Sequence, residues 1–409
     1  ALEVLETYGA GLTTIDISNN PNMTRLSAYN SYNGALTEAN IQNGFNGSIT
    51  SLQLESNPNL SCIQVDASIV GTSPTGWVKD GTASYQANCT SQYTLIPDPF
   101  FEQYLVDEGI DATPNDGRVL TSALVGVTTV NVERLFINGM EGIQDFVDLE
   151  VLNVNQINLG RIDLSQNLKL RELHARACSL NALNLVNNTE LEILELYGNG
   201  ISDLNLEFNT KLQSIDVSSN PLASLFLLNH PDLNTLDVSD SDIRYLIVEG
   251  TALTSLDLSF NSLLEEVSLR YNNISNLVLP ANDSPLTKLE VVGESLTAFD
   301  VENRTNLEDL TIFDIQATDL IIENLPSLTS FRLEENFLLN TLRIAGTALA
   351  TFNGLQLNNR ALVNVEIEEN PNLQNLPFAV QDLRNIERLS VVDNDLTSLD
   401  VSNLATLET

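Results

Sequence analysis

The feature that most constrains this chain is a leucine ladder that runs almost without interruption from residue 149 to the end. Full coils read Leu149-x-x-Leu152-x-Val154, Leu170-x-x-Leu173, Leu191-x-x-Leu194-x-Leu196, Leu212-x-x-Ile215-x-Val217 and Leu233-x-x-Leu236-x-Val238. Half-steps of the same shape lie between them: Leu180-x-x-Leu183-x-Leu185, Ile201-x-x-Leu204-x-Leu206, Leu222-x-x-Leu225-x-Leu227 and Ile243-x-x-Leu246-x-Val248. A coil this short cannot bury its own apolar side and must pack on its neighbours, so a fixed period of this kind predicts a stack. A chain built this way works through its surfaces.

The ladder is interrupted once. Coils at Leu2-x-x-Leu5, Leu12-x-x-Ile15-x-Ile17 and Met23-x-x-Leu26 loosen between residues 30 and 47, resume at Ile49-x-x-Leu52-x-Leu54, and reach a last half-step at Leu60–Val65. Cys62 and Cys89 then bracket a segment that breaks the repeat and holds the only tryptophan, Trp77. Stacked coils need a terminal cap, so residues 62–89 are expected to close a first array. Two cysteines flanking such an insert suggest a disulfide and an oxidising compartment, with two free thiols as the alternative. Cys178 falls at a buried turn position and reads as a small inward thiol.

A second start follows. Asp98 suits a helix cap, Pro99 the first helical position and Gly109 the end, while Phe101 and Leu105 give one apolar side. Strand-like runs at 127–132 and 135–137 lead into the coil at Leu149. The expected organisation is an array end over 1–92 and a second array over 93–409, with an amino-terminal cap at 93–148 and an open carboxy-terminal end.

Of the 409 residues, 55 are acidic and 18 basic, a formal net charge of −37. That argues against nucleic acid, whose binding relies on Lys and Arg displacing phosphate counterions, and against an anionic membrane surface. No stretch approaches the ~20 apolar residues of a membrane span. Ala1-Leu2-Glu3-Val4-Leu5 already reads as a repeat rather than a secretory signal. The chain also stops at Leu407-Glu408-Thr409, with Leu407 standing where Leu2 stands in a coil. Uncapped ends of this kind expose strand edges and raise the expectation of end-to-end self-association, as one segment of a fibre or longer array. Truncation at convenient points is the alternative.

The coil Leu-x-x-Leu-x-Val-x-x-Asn-x-Leu, as at Leu212–Leu222 with Asn220 at the turn, resembles the leucine-rich repeat family over nearly the whole chain. The resemblance implies an α/β-type solenoid, mostly β: two arrays with parallel sheets, a short or irregular convex side, and one capping helix near 98–108. It also implies a buried ladder of turn asparagines, for which Asn57, Asn199, Asn220, Asn272, Asn336, Asn370 and Asn394 fit. Ile157, Cys178, Ser241, Glu294 and Ile315 depart from it. The units Leu-Asp-Val-Ser-Asn (399–403) and Leu-Asp-Leu-Ser-Phe-Asn (256–261) are similar to internalin-like repeat proteins secreted by Bacteroidetes. That likeness implies export, often by the type IX route.

Signals for chemistry are sparse. His174 reads as an outward strand residue and His230 as a coil-junction residue next to Pro231. There is no phosphate-binding glycine loop, Cys-x-x-Cys pair or nucleophile elbow. Asp16, Asp163, Asp216, Asp237, Asp257 and Asp400 recur in Asp-x-Ser units, and their carboxylates suit calcium. The glycine-rich nonapeptide of calcium-binding β-rolls is missing, so solvated side chains are the favoured reading and no cofactor is expected.

Strand side chains alternate, so the third, fifth and seventh residues of each unit should point outward. On the main sheet the fifth and seventh columns are read as Asn153/Asn155, His174/Arg176, Glu195/Tyr197, Asp216/Ser218, Asp237/Ser239, Ser268/Arg270, Glu290/Val292, Thr311/Phe313 and Arg332/Glu334. Tyr197 and Phe313, flanked by Arg176, Arg270 and Arg332, are possible interface anchors. The half-step column is read as Asn184, Asn205, Phe226, Ile247, Asp257, Val278, Asp300 and Ile321, with Leu228 beside Phe226; its large apolar residues suit a contact patch, with burial by a curl of this side as the alternative. The expectation is a non-enzymatic protein of the cell exterior, adhesin-like or structural, that binds protein or another cell-surface ligand. A carbohydrate-binding accessory is the alternative.

Overall fold

The computed structural model describes residues 2–9, 11–29, 36–89, 93–351, 361–376, 385–402 and 404–408. Residues 30–35 of the loose stretch, together with Asn403 and Thr409, lie outside these. The chain is a mostly-β parallel solenoid, and its one described α-helix is Pro99–Asp107. Contacts divide it into two compact units, Ala1–Leu95 with Asp111–Ala123, and Ile96–Ile110 with Leu124–Thr409.

In the first unit the chain visits two parallel sheets alternately. One contains Val4–Glu6, Arg25–Ser27, Ser51–Leu54 and Trp77–Lys79, the other Thr14–Asp16, Glu38–Asn40, Cys62–Gln64 and Ser84–Gln86. The cysteine-bounded segment therefore continues both sheets, although its sequence reads as a break. The reason is a change of side chain: Trp77 stands opposite Leu52 and Tyr85 opposite Ile63, so aromatics occupy positions that leucine fills elsewhere. Their rings meet edge to face at 5.4 Å, and the Trp77 indole N–H donates to the Ile49 carbonyl at 2.9 Å. Cys62 and Cys89 are joined by a disulfide with Cα atoms 5.7 Å apart. Tyr93–Leu95 pairs antiparallel with Arg118–Leu120 in this same unit.

The second unit opens with the helix. Asp98 caps it, its carboxylate accepting the N–H groups of Phe100 and Phe101 at 2.9 and 3.0 Å while its other oxygen accepts that of Asn138. Parallel strands follow at Thr129–Asn131, Val151–Asn153, Glu172–His174, Ile193–Glu195, Ser214–Asp216 and Thr235–Asp237. From residue 224 the half-steps also become strands: Ser224–Leu228, Tyr245–Glu249, Glu266–Arg270, Lys288–Val292, Asp309–Phe313 and Ser330–Glu334 form a second six-stranded sheet. Asp319–Leu325, Thr341–Thr347, Asn364–Glu368 and Arg388–Val392 make a third.

The fifth residue of a unit bears on strand length, although strands ending at His174, Glu195 and Val278 are also three residues long. Where it is Asp or Asn, the side chain accepts the N–H two residues on, as Asn153 does from Asn155, Asp216 from Ser218 and Asp237 from Ser239. Such local bonds compete with sheet pairing, and these strands stop at three residues. Where it is Phe226, Ile247, Thr311 or Arg332, nothing captures that N–H and the strand runs to five.

Turns are closed by a repeated slot. Asn167, Asn188 and Asn209 donate from Nδ2 to the carbonyls of Ile143, Leu164 and Leu185, each 24 residues back. Asn199, Asn220, Asn272 and Asn336 make the same bond to Ala175, Leu196, Val248 and Ile312. Asn370 and Asn394 donate to Ile344 and Ile367, and Asn57, in the first unit, to Ala28. The slot requires a donor rather than an asparagine. Cys178 fills it through Sγ to Val154, Arg304 through Nη1 to Pro280 and His230 through Nε2 to Leu206, again 24 residues back. His230 is thus a fully buried structural residue, not the surface junction its sequence context implies. Glu294 inverts the arrangement, accepting the N–H groups of Asn272 and Ile274 at 3.0 and 2.9 Å.

Left-handed residues lie one to three positions past many strands of the second unit, among them Gln156, Ala177, Ser219, Asp240 and Tyr271. The N–H of Ala177 then donates to the Tyr197 carbonyl at 2.8 Å, carrying the ladder one step past the strand. Side chains with a Cβ are strained there. Ala177→Gly, at φ 53°, is expected to raise stability by roughly 0.5–1 kcal/mol, read as a higher denaturation midpoint with unchanged slope.

Two further outcomes follow. Replacing Cys62 and Cys89 by serine is expected to cost the first unit about 3.5 kcal/mol, the chain-entropy value for a loop of this size. Calorimetry that resolves the first unit's transition from the second's would show it. Burial holds the His230 imidazole below its usual 6.5 and pushes the Glu294 carboxyl above 4.5. For His230 the unfolded chain binds the extra proton, so its contribution is present above pH 6.5 and lost as pH falls towards the lower folded value. For Glu294 the folded chain binds it, so stability declines as pH rises from 4.5 through the raised value. Denaturation midpoints across pH 4–8 should therefore lose their fall below pH 6.5 in His230→Asn, which supplies the slot's usual donor.

Candidate functional site

Register sorts the outward residues differently from the leucine spacing. Phe226, Ile247, Ser268, Glu290, Thr311 and Arg332 form one column of the second sheet, and Leu228, Glu249, Arg270, Val292, Phe313 and Glu334 the next. Arg270, Phe313 and Arg332 thus share a sheet with Phe226, Leu228 and Ile247, rather than with Tyr197 and Arg176. Val278 instead stands opposite Asp257, and Ile321 opposite Asp300 and Arg343. The leucine reading slipped by half a coil between Leu236 and Val267, because both halves of a coil carry the same apolar spacing. Val267 pairs with Leu246.

The second sheet carries the clearest candidate site. Phe226 and Leu228 are 50% and 46% exposed and Tyr245 is 40% exposed, while Leu225, Leu227, Leu246 and Val248 fill the inner side of the same strands. The inner side is thus complete, and the outer apolar side chains have no packing role within it. With Ile247 they line a groove of about 580 Å³. Its polar rim is mostly self-paired. Arg270 Nη2 reaches Glu290 at 2.6 Å, Lys288 lies 3.7 Å from Glu266, and the Tyr245 hydroxyl donates to Glu265. Glu249 faces Arg270 across the strands, yet its carboxylate makes no hydrogen bond or salt bridge among the described residues.

On the first six-stranded sheet the polar side chains bind one another. His174 Nδ1 lies 2.7 Å from Glu195 and Nε2 3.3 Å from Glu172. Arg176 bridges Glu195 and Asp216 at 3.1 and 3.4 Å. Tyr197 is half exposed beside them. The imidazole is bracketed by carboxylates, and no hydroxyl or thiol hydrogen-bonds it among the described residues. The recurring aspartates have local work: Asp16, Asp163, Asp257 and Asp400 accept the N–H of the serine two residues on, at 2.8 to 3.0 Å. The serine beside each holds its carboxyl below the usual range. Cys178 is buried, and burial pushes its thiol up.

The sequence marked Phe226, Leu228 and Ile247 as outward. It gave no sign that Tyr245 and Glu249 complete the groove, because only register brings adjacent coils together. Nor did it mark the second donor ladder, whose asparagines at 167, 188 and 209 precede Leu-x-x-Leu units of the other half-coil.

No family model and no curated protein matches the sequence. Solved structures do match. The functional domain of InlJ from Listeria monocytogenes is 22% identical, over 77% of this chain and 74% of that one, with a TM-score of 0.35. An internalin, InlF, from Listeria monocytogenes strain 4b F2365 is 22% identical, over 76% and 94%, with a TM-score of 0.34. A leucine-rich repeat protein of Leptospira interrogans is 17% identical, over 70% and 90%, with a TM-score of 0.28. Periodic coils, parallel ladders and donor-closed turns give this chain a leucine-rich repeat fold.

Proposed function

We propose that this is a non-enzymatic protein of the cell exterior, adhesin-like, that binds a protein partner through the outer face of its second sheet. The observation that carries this reading is the group Phe226, Leu228, Tyr245 and Ile247, held outward on strands whose inner sides are already filled. Apolar clusters left outside a complete core mark contact sites. The Cys62–Cys89 disulfide supports an oxidising compartment. No helix among the described residues is long and apolar enough to cross a membrane.

The variant Phe226→Ser/Leu228→Ser removes the apolar contact without touching the core. Proteins of a surface extract crosslinked to the wild type should fall at least tenfold with this variant, while its thermal midpoint stays unchanged. Equal crosslinking by both proteins would remove the support for this face. Glycan-array binding that both proteins share, with no crosslinked protein, would favour the carbohydrate reading instead.

A further inference from the structure

The groove on the second sheet selects its partner by charge as well as by apolar shape, and the inference rests on the contact role just proposed for it. Two sets of groups meet there. The floor is Phe226, Leu228 and Ile247, with Tyr245 at its edge. The rim holds two cations and three carboxylates, and both cations are already engaged, Arg270 by Glu290 and Lys288 by Glu266. What remains for a ligand is the Glu249 carboxylate, beside the half-exposed Leu228 across which it is paired. Arg244, just outside, is likewise held by Glu265 at 2.8 Å.

An acidic partner would meet at the rim only cations that already face a carboxylate, and a neutral apolar one would desolvate Glu249 with no hydrogen bond to its carboxylate, which costs free energy. A segment with alternating apolar and basic side chains satisfies both demands. The wider field acts in the same direction: with a net charge of −37 the chain attracts cations and repels anions. The groove volume, about 580 Å³, is that of a cleft taking a few side chains rather than a folded domain. We infer that the groove formed by Phe226, Leu228, Tyr245, Ile247 and Glu249 docks an extended polypeptide segment of the partner that alternates apolar and basic residues.

Charge alone would also draw a cationic peptide to so acidic a protein, so the test must separate attraction from docking. The probes are three synthetic twelve-residue peptides: alternating Leu and Lys, alternating Gly and Lys, and alternating Leu and Ser. Fluorescence anisotropy measures each against the wild type and against Phe226→Glu/Ile247→Glu, which makes the protein still more acidic. Unspecific attraction would tighten Leu/Lys binding to this variant. Docking in the groove weakens it at least tenfold, with Gly/Lys weaker than Leu/Lys on the wild type by a similar factor. Glu249→Lys, a change at an outward rim position, should weaken Leu/Lys several-fold and leave Leu/Ser unaffected.

Leu/Lys binding that is equal or tighter on the double glutamate variant overturns the proposal, and so does Leu/Ser binding as tight as Leu/Lys. Crosslinking of a surface protein that depends on Phe226 and Leu228, combined with failure of the Leu/Lys peptide, refutes the basic partner class and keeps the contact face. Loss of both refutes the face itself. A circular-dichroism melt on each variant excludes unfolding as the cause. Should the double variant prove unfolded, Glu249→Lys and the Gly/Lys comparison decide alone.

Discussion

Each turn between coils buries backbone groups that water cannot reach, and such groups must find partners elsewhere in the protein. Here a donor projects from one coil to a carbonyl 24 residues back, at positions as far apart as Asn167 and Asn336. Because the partner belongs to the preceding coil, each bond closes a turn and fixes the stacking register at once. Asparagine suits the slot, with its amide donating to one coil and its carbonyl accepting from another, as Asn199 accepts the N–H groups of Cys178 and Leu180 at 3.0 Å. The slot admits thiol, imidazole and guanidinium because the missing element is a proton, not a shape. Residues that look chemically loaded in sequence, His230, Cys178 and Arg304, are accounted for by this requirement.

Much of the architecture was legible because leucine spacing reports burial directly. The capping helix was equally plain, since Asp98, Pro99, Phe101 and Leu105 are signals that act within one turn. Assignment to one side of the coil was harder. Both halves of a coil use the same Leu-x-x-Leu-x-Leu spacing, so the apolar pattern carries no mark of side. The mark lies in the fifth residue, which pairs locally with its own turn when it is Asp or Asn. The Trp77 coil was hidden for a related reason, its leucines having been exchanged for aromatics that pack in the same register. Site residues drawn together from separate coils, Glu249 and Arg270 among them, follow only from register.

One substitution class links local structure to surface. Asn184 and Asn205 occupy the fifth position in successive half-steps and accept the N–H groups of Val186 and Glu207. At the next two half-steps that position is Phe226 and Ile247. The N–H two residues on is released, the strand lengthens, and the seventh residue joins the sheet as an outward side chain. The change that extends the sheet also places large apolar groups on its outer face. Neither effect requires any alteration of the core leucines, which explains how a repeat can acquire a contact surface without losing its stack.

Charge is distributed by the same geometry. Lys169 reaches Asp148, Arg171 reaches Glu192, Lys211 reaches Glu190 and Arg244 reaches Glu265, each one coil away at 21 residues. Exposed pairs of this kind add little stability individually, but they occupy the few cations available. With 18 basic residues against 55 acidic ones, the surplus carboxylates set the field beyond ~8–10 Å only weakly at physiological salt and strongly near the surface. For a cationic partner docked as proposed, the field would govern how fast it arrives and the desolvated apolar contact how long it stays. For this chain, salt should act chiefly on association and side-chain truncation in the groove chiefly on dissociation, because the two effects arise from different residues.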